Sequence, residues 1–97
     1  MKATAEIQII PLGVGPSVRR EVERARELLA ASGLQVEMHA YGTNVEGELS
    51  EILAAIQQLH EVLHREGVVR LTSAIKIGTR VDKEPSLAGK QTKGAGG

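Results

Sequence analysis

Hydrophobic and polar positions alternate in several short segments of the chain and recur at helical spacing in two longer ones. The first alternating segment is residues 3–10, where Ile7 and Ile9 are separated by Gln8. This period of two predicts a β-strand. We expect Pro11 to end the strand, because proline has no N–H to donate to a ladder.

Three further strands are predicted along the chain. The second covers residues 34–41 and the third residues 43–46, and Gly42 between them is expected to supply the turn of a hairpin. The fourth strand covers residues 68–79.

Two segments show apolar residues at the spacing of an amphipathic helix. The first helix is predicted to begin at Ser17 and to end at Gly33, and the second to cover residues 47–66 and to end at Gly67. Their apolar stripes are Val18, Val22, Ala25 and Leu29 in the first, and Leu49, Ile52, Leu53, Ile56, Leu59 and Leu63 in the second.

The predicted order is β-α-β-β-α-β, which is typical of the ferredoxin-like α+β sandwich. Right-handed crossovers place both helices on one face of a four-stranded antiparallel sheet, with the strands in the order 4-1-3-2. We expect this domain to span residues 1–84 and to be followed by a mobile tail over 85–97, which is rich in Gly and Lys and poor in apolar residues.

The side of the sheet without helices is predicted to be polar. If the aliphatic residues of the strands face the helices, their neighbours face away, and the central strands bring four side chains together: Glu6, Gln8, Asn44 and Glu46. Carboxylates and amides at this position suit a cationic or amine-bearing small molecule. The alternative interpretation is a solvated face with no ligand, which is common in antiparallel sheets.

Composition removes several classes of function. The formal net charge is zero and Tyr41 is the one aromatic residue of the sequence, so binding of nucleic acid is not expected. There is no cysteine, which excludes disulfides and thiolate chemistry. No apolar run is long enough for a signal peptide or a membrane helix, and we expect a cytoplasmic protein without membrane contact.

Three segments together resemble the small thiamine-binding protein family, which is related to bacterial binders of thiamine and hydroxymethylpyrimidine. The resemblance covers residues 3–84 and is carried by Ala5-Glu6-Ile7 through Ile10-Pro11-Leu12-Gly13, by Gly42-Thr43-Asn44-Val45-Glu46-Gly47-Glu48, and by Ile75-Lys76-Ile77 through Arg80-Val81-Asp82-Lys83.

The resemblance implies a binder that is not an enzyme, with thiamine as ligand rather than cofactor and sites near the interfaces of a homodimer or homotetramer. Glu46 or Glu6 would then balance the thiazolium charge, while Asn44, Gln8 and Thr43 would meet the aminopyrimidine. Members of the family commonly add a C-terminal helix that helps to hold the oligomer together. The glycines from Gly89 onward do not favour such a helix.

Two enzymatic alternatives follow from other patterns. His60-Glu61-Val62-Leu63-His64 matches the HExxH pattern of zinc proteases, although His39 is the only further histidine of the sequence. An acylphosphatase-like hydrolase on the same fold would combine Asn44 with Arg19 or Arg20.

Two non-enzymatic alternatives also remain. The turn Gly13–Ser17 precedes a helix and offers backbone amides to an anion, although a plain turn is the simpler interpretation. The helix-free face is also consistent with a structural or regulatory module that pairs with another subunit and binds no ligand.

Overall fold

The computed structural model describes residues 1–13 and 19–82, so the predicted tail over 85–97, the domain boundary at 84 and most of the turn Gly13–Ser17 lie outside the described residues. The elements follow the predicted order. They are β1 (Lys2–Leu12), α1 (Arg19–Ala30), β2 (Gln35–His39), β3 (Gly42–Glu48), α2 (Leu49–Arg65) and β4 (Arg70–Thr79).

The four strands form one antiparallel sheet in the order β2-β3-β1-β4, which confirms the predicted topology. In register, Ile7 of β1 lies opposite Thr43 of β3 on one side and opposite Ile75 of β4 on the other. Both helices contact β1, and α1 also packs on α2. The result is the α+β sandwich expected from the hydrophobic pattern.

The core lies between the sheet and the two helices and is almost entirely aliphatic. Its buried residues are Ala3, Ala5, Ile7, Ala25, Leu29, Leu34, Val45, Ile52, Ala55, Leu59, Leu63 and Val68. Burial of this apolar surface is the main stabilising contribution, at about 25 cal/mol per Å².

One position of the predicted stripe on α2 is wrong. Leu53 is 50% exposed, and Ala55 is buried instead. The reason is geometric, because a helix turns about 100° per residue and Leu53 is therefore a quarter-turn away from Ile52, on the flank of the buried line.

The predicted end of the first strand is also wrong, since β1 continues through Pro11, which pairs with Leu71 of β4, to Leu12. Backbone groups of successive strand residues point to opposite edges. The missing N–H of Pro11 belongs to the edge facing β3, and β3 has already ended there, because its last pair with β1 is Ile7 with Thr43. No ladder bond is therefore lost at Pro11.

The hairpin of β2 and β3 turns at Ala40 and Tyr41, not at Gly42 as predicted, and Gly42 is the first residue of β3. A Cβ at Gly42 would stand 2.8 Å from the Ile7 carbonyl oxygen, and its φ is +159°. Close approach to β1 thus explains the glycine. At its other end β3 extends to Glu48, which pairs with Lys2, so α2 begins at Leu49 instead of Gly47.

Candidate functional site on the helix-free sheet face

The outward side chains of the two central strands bring carboxylates and an amide together. Glu6 of β1 lies directly opposite Asn44 of β3, and Thr4 lies opposite Glu46. Because Ala5, Ile7 and Val45 are buried against the helices, alternation along each strand directs these four side chains to the helix-free face.

A hydrogen-bond network joins three strands across this face. The Tyr41 backbone N–H donates to His39 Nδ1 at 3.3 Å, so in the neutral imidazole the proton is on Nε2. That Nε2 lies 3.2 Å from Asn44 Oδ1 and 3.4 Å from a Glu6 carboxylate oxygen. Asn44 Nδ2 in turn donates to a Glu37 carboxylate oxygen at 3.2 Å. The network fixes the orientation of the Asn44 amide at the centre of the sheet.

Beside this network an open depression of about 470 Å³ lies between β1, β3 and β4. Glu6, Asn44 and Lys76 stand around it, and Thr4 lies at its floor. Thr4 is buried, and its hydroxyl has no hydrogen-bond partner among the described residues. A buried hydroxyl without a partner is costly, so this atom is a candidate contact for a bound molecule.

Among the described residues, carboxylates outnumber cationic groups at the centre of the face. Glu6, Glu37 and Glu46 supply three carboxylates there, and Lys76, the neighbour of Glu6 on β4, supplies one ammonium group, while Arg70 lies at the far end of β4 opposite Leu12. Within the described residues Glu6 makes no ion pair with a lysine or arginine, and its carboxylate lies 3.4 Å from the imidazole Nε2 of His39. Such a surface attracts a cation.

The structure brings together most of the side chains predicted from the sequence, but not all. Glu6, Asn44 and Glu46 share the helix-free face, and Gln8 lies exposed on the same side of β1, one residue past the last β1–β3 pair, Ile7 with Thr43. Thr43 does not join them. It is buried on the helix side, because adjacent residues of a strand point to opposite faces.

Three polar residues of this face, His39, Glu37 and Thr4, were not predicted from the sequence. For the first two a signal existed, since polar residues alternate with Val36 and Met38 along β2. Thr4 has no comparable signal, because its burial depends on neighbours across two strands.

The two histidines of the HExxH segment are occupied by structural contacts. His60 Nε2 lies 2.8 Å from Ser73 Oγ, and His64 Nδ1 lies 2.7 Å from the Val68 carbonyl oxygen, to which it donates. His39 is on the opposite face of the sheet, and the described residues contain no group of three or more side chains able to hold a metal ion. The zinc-protease arrangement is therefore not assembled in this part of the chain.

The groups of an acylphosphatase-like site are also separated. Arg19 and Arg20 belong to α1, on the helix side, and Arg19 donates to Glu23 at 3.2 Å. Asn44 faces away on the other side of the sheet, where it bonds to Glu37.

In the described region, neither helix is long and apolar enough to cross a bilayer.

Comparison with known proteins decides the family. Residues 5–94 match the family described as "Thiamine-binding protein". The chain belongs to this family.

Its relatives are found in archaea, in bacteria and in a fungus. The chain is 43% identical to the UPF0045 protein MJ1052 of Methanocaldococcus jannaschii over 89 residues, which is 92% of this chain and 88% of that protein. It is 41% identical to the UPF0045 protein sll0230 of Synechocystis over 87 residues, 90% of this chain and 72% of that protein.

Solved structures agree with the fold of this family member. A crystal structure of MJ1052 superposes with a TM-score of 0.86 at 41% identity and covers 98% of this chain and 96% of its own. A structure from Thermotoga maritima, assigned provisionally to thiamine biosynthesis or salvage, gives a TM-score of 0.86 at 24% identity, with 96% and 98% covered. At that identity the second comparison bears on the fold alone.

Proposed function

We propose that this family member binds thiamine, or a related pyrimidine or thiazole compound, without transforming it, on the helix-free face beside a subunit interface. The observation that carries the proposal is the cluster of Glu6 and Asn44 around a depression whose floor holds the unpartnered Thr4 hydroxyl. Membership of the thiamine-binding protein family supports the choice of ligand. We place this function in a domain over residues 1–84 of a cytoplasmic protein.

The chemistry of the face complements thiamine. The thiazolium ring carries a permanent positive charge, which Glu6 or Glu46 balances. An amide has two N–H donors and two acceptor lone pairs, and Asn44 uses one of each within the protein. One donor and one acceptor of Asn44 therefore remain for a ligand, and Thr4 adds a hydroxyl.

A second copy of the chain would strengthen this binding. Two unit charges 4 Å apart attract by about 1 kcal/mol in water but by about 4 kcal/mol where the surroundings are partly dehydrated. Glu6 is 46% exposed in the single chain, so its charge is screened. A homodimer that covers the face removes water from the depression, and the proposal therefore includes an interface at its edge.

Calorimetric titration with thiamine tests the proposal. We expect Glu6→Gln to weaken binding about tenfold, which corresponds to about 1.4 kcal/mol. Glu46→Lys should weaken it further, because it also introduces repulsion. The matched control is Glu51→Gln, which makes the same change as Glu6→Gln on the exposed first turn of α2, and its affinity should equal that of the parent.

The results separate the proposed function from a purely structural module. Equal affinities in the parent, Glu6→Gln and Glu46→Lys would move the ligand off this face. An absence of thiamine binding by a correctly folded dimer would favour a subunit-pairing role instead.

A further inference from the structure

At one end of the depression on the helix-free face, a strand residue has no side chain. Gly78 of β4 lies directly opposite Thr4 of β1, and both residues line the depression. On the other side of Thr4, the opposite residue of β3 is Glu46. We call this place the Gly78 notch and define it by Thr4, Glu46 and Gly78.

Packing within the protein does not require glycine at position 78. Apart from its chain neighbours, a Cβ built there would meet a single atom of the described residues within 4 Å, the Thr4 hydroxyl oxygen at 3.7 Å, which is an ordinary van der Waals distance. The φ of Gly78 is not positive. Alanine would therefore fit, in contrast to Gly42, where a Cβ would stand 2.8 Å from a carbonyl oxygen. Glycine weakens a strand, and a common reason to find it there is the close approach of a ligand.

The space that Gly78 leaves open adjoins a polar group in need of a partner. Thr4 is 2% exposed, and its hydroxyl has no hydrogen-bond partner among the described residues. A hydroxyl can both donate and accept, and burying one without a partner is costly. A hydrogen-bonding group placed over Gly78 would supply that partner.

The charges beside the notch decide which polar group it accepts. Alternation places the carboxylate of Glu6 two residues from Thr4 along β1, and Glu46 lies opposite Thr4 on β3. Lys76 supplies one ammonium group on the β4 side. An anion in the notch would lie beside two carboxylates, and like charges at short range repel. A neutral hydroxyl group avoids this repulsion, because it donates to a carboxylate while it accepts from Thr4.

We infer that the Gly78 notch binds a primary alcohol carried by the cationic ligand and rejects the phosphate ester of that alcohol. The alcohol oxygen accepts from Thr4 Oγ1, and the alcohol O–H donates to the carboxylate of Glu46. This inference rests on the proposed function, because in thiamine it assigns the hydroxyethyl arm of the thiazolium ring to the notch. Thr4 and Gly78 are then the residues that select the unphosphorylated form.

The spacing along the strand suits a ring with a short arm. Thr4 and Glu6 are two residues apart on β1, about 7 Å along it. A thiazolium ring held beside Glu6 therefore reaches the notch with an arm of two carbons. A methyl group in place of the arm would leave the Thr4 hydroxyl without a partner.

Calorimetric titration of the full chain with matched ligands tests the inference. We expect thiamine monophosphate to bind at least about tenfold more weakly than thiamine, because its phosphate would lie beside two carboxylates. The thiamine analogue with a methyl group in place of the hydroxyethyl arm should also bind about tenfold more weakly. A site built to hydrogen-bond a hydroxyl discriminates against a ligand that lacks one.

Two substitutions test the residues of the notch. Gly78→Ala places a methyl group over Thr4 and should weaken thiamine about tenfold while leaving the affinity for the methyl analogue unchanged. Thr4→Val removes the hydroxyl at nearly constant shape and should weaken thiamine similarly. It should nevertheless keep or raise the melting temperature of the free protein, because it removes a buried hydroxyl that has no partner. Removal of a hydroxyl with a purely structural role would lower the melting temperature.

Thr72→Val is the matched control for Thr4→Val. It makes the same change on the same face of the sheet, six residues from Gly78 and about 20 Å along β4. Its affinity for thiamine should equal that of the parent.

Three results would overturn the inference: equal affinities for thiamine and its monophosphate, Gly78→Ala binding thiamine as tightly as the parent, or Thr4→Val doing so. Each is distinguishable from failure of the proposed function. Thiamine binding that is weakened by Glu6→Gln but not by Gly78→Ala or Thr4→Val removes the notch and keeps the helix-free face. A parent that binds no thiamine contradicts both.

Discussion

At the scale of single residues, the side chains of this protein are held by contacts that differ between the two faces of the sheet. On the helix-free face His39 approaches a carboxylate and an amide. On the helix side His60 approaches the hydroxyl of Ser73 and stands next to His64, with 6.3 Å between ring centroids. The same residue type therefore has different electrostatic surroundings on the two sides.

The surroundings of His60 make stability depend on pH. Burial, followed by repulsion from His64, lowers the pKa of His60 below the ordinary value of about 6.5. The unfolded chain therefore binds more protons than the folded chain just below that pH. The contribution of neutral His60 is complete above the unfolded pKa, and it is lost as the pH falls from there through the lower pKa of the folded chain.

We predict that acidification from pH 7.5 to pH 5.5 lowers the melting temperature, and that His60→Gln reduces this loss. Glutamine does not titrate and keeps a side-chain amide for Ser73. Thermal unfolding followed by circular dichroism across the pH range measures the slope. A His60→Gln profile parallel to that of the parent would contradict the assignment to His60.

Predictions for single residues were correct where the alternation of strand side chains between the two faces of the sheet was sufficient to place them. Alternation placed Glu6, Asn44 and Glu46 on one face. Ligand binding by these three remains a prediction. The grouping of Thr43 with Asn44 failed because neighbours in the chain are not neighbours on a sheet face. The contacts of His39 and Thr4 depend on cross-strand register, which no local pattern encodes.

At the scale of elements, pairing with neighbouring strands determines where β1 and β3 end. The alternation of residues 3–10 identified a strand, but whether Pro11 belonged to it depended on the length of β3. Similarly, Gly47 and Glu48 are strand residues because they pair with Ala3 and Lys2. Element types were predictable from periodicity, and these ends were not.

The helix α2 offers a direct test of its buried face. Leu59 is 1% exposed and Leu53 is 50% exposed on the same helix. We predict that Leu59→Ala lowers the free energy of unfolding by about 2–5 kcal/mol, because it leaves a cavity in the core. Leu53→Ala should cost less than about 1 kcal/mol.

Urea denaturation of the two variants measures the difference. The pair is well matched, since both replace leucine by alanine within one helix and share the same change in helix propensity. Equal losses in the two variants would contradict the assignment of Leu53 to the solvent side.

At the scale of the whole molecule, we expect the helix-free face to be the surface that contacts a second copy of the chain. A single chain leaves the acidic cluster in contact with water, and we expect a second copy to cover it. Ala74 of β4 lies exposed on this face, opposite Gln8 of β1. It is therefore a position at which a charge would disturb pairing without disturbing the core.

We predict a homodimer, with a mass of twice the 10.3 kDa of one chain. Ala74→Glu should shift the protein to a monomer, because it would bury a further carboxylate in the predicted interface. Ala54→Glu makes the same change on the exposed side of α2 and should remain dimeric. Light scattering coupled to size-exclusion chromatography gives the masses. Ala74→Glu with the parent's mass would place the interface elsewhere.

The central claim is that the helix-free face binds a thiamine-like cation at a junction between subunits. Native mass spectrometry with added thiamine tests it most directly, because one spectrum reports assembly and ligand together. The account predicts a dimer that carries thiamine in the parent and loses it in the double variant Glu6→Gln/Glu46→Gln. A parent that stays free of thiamine, or a double variant that retains it fully, would contradict the account.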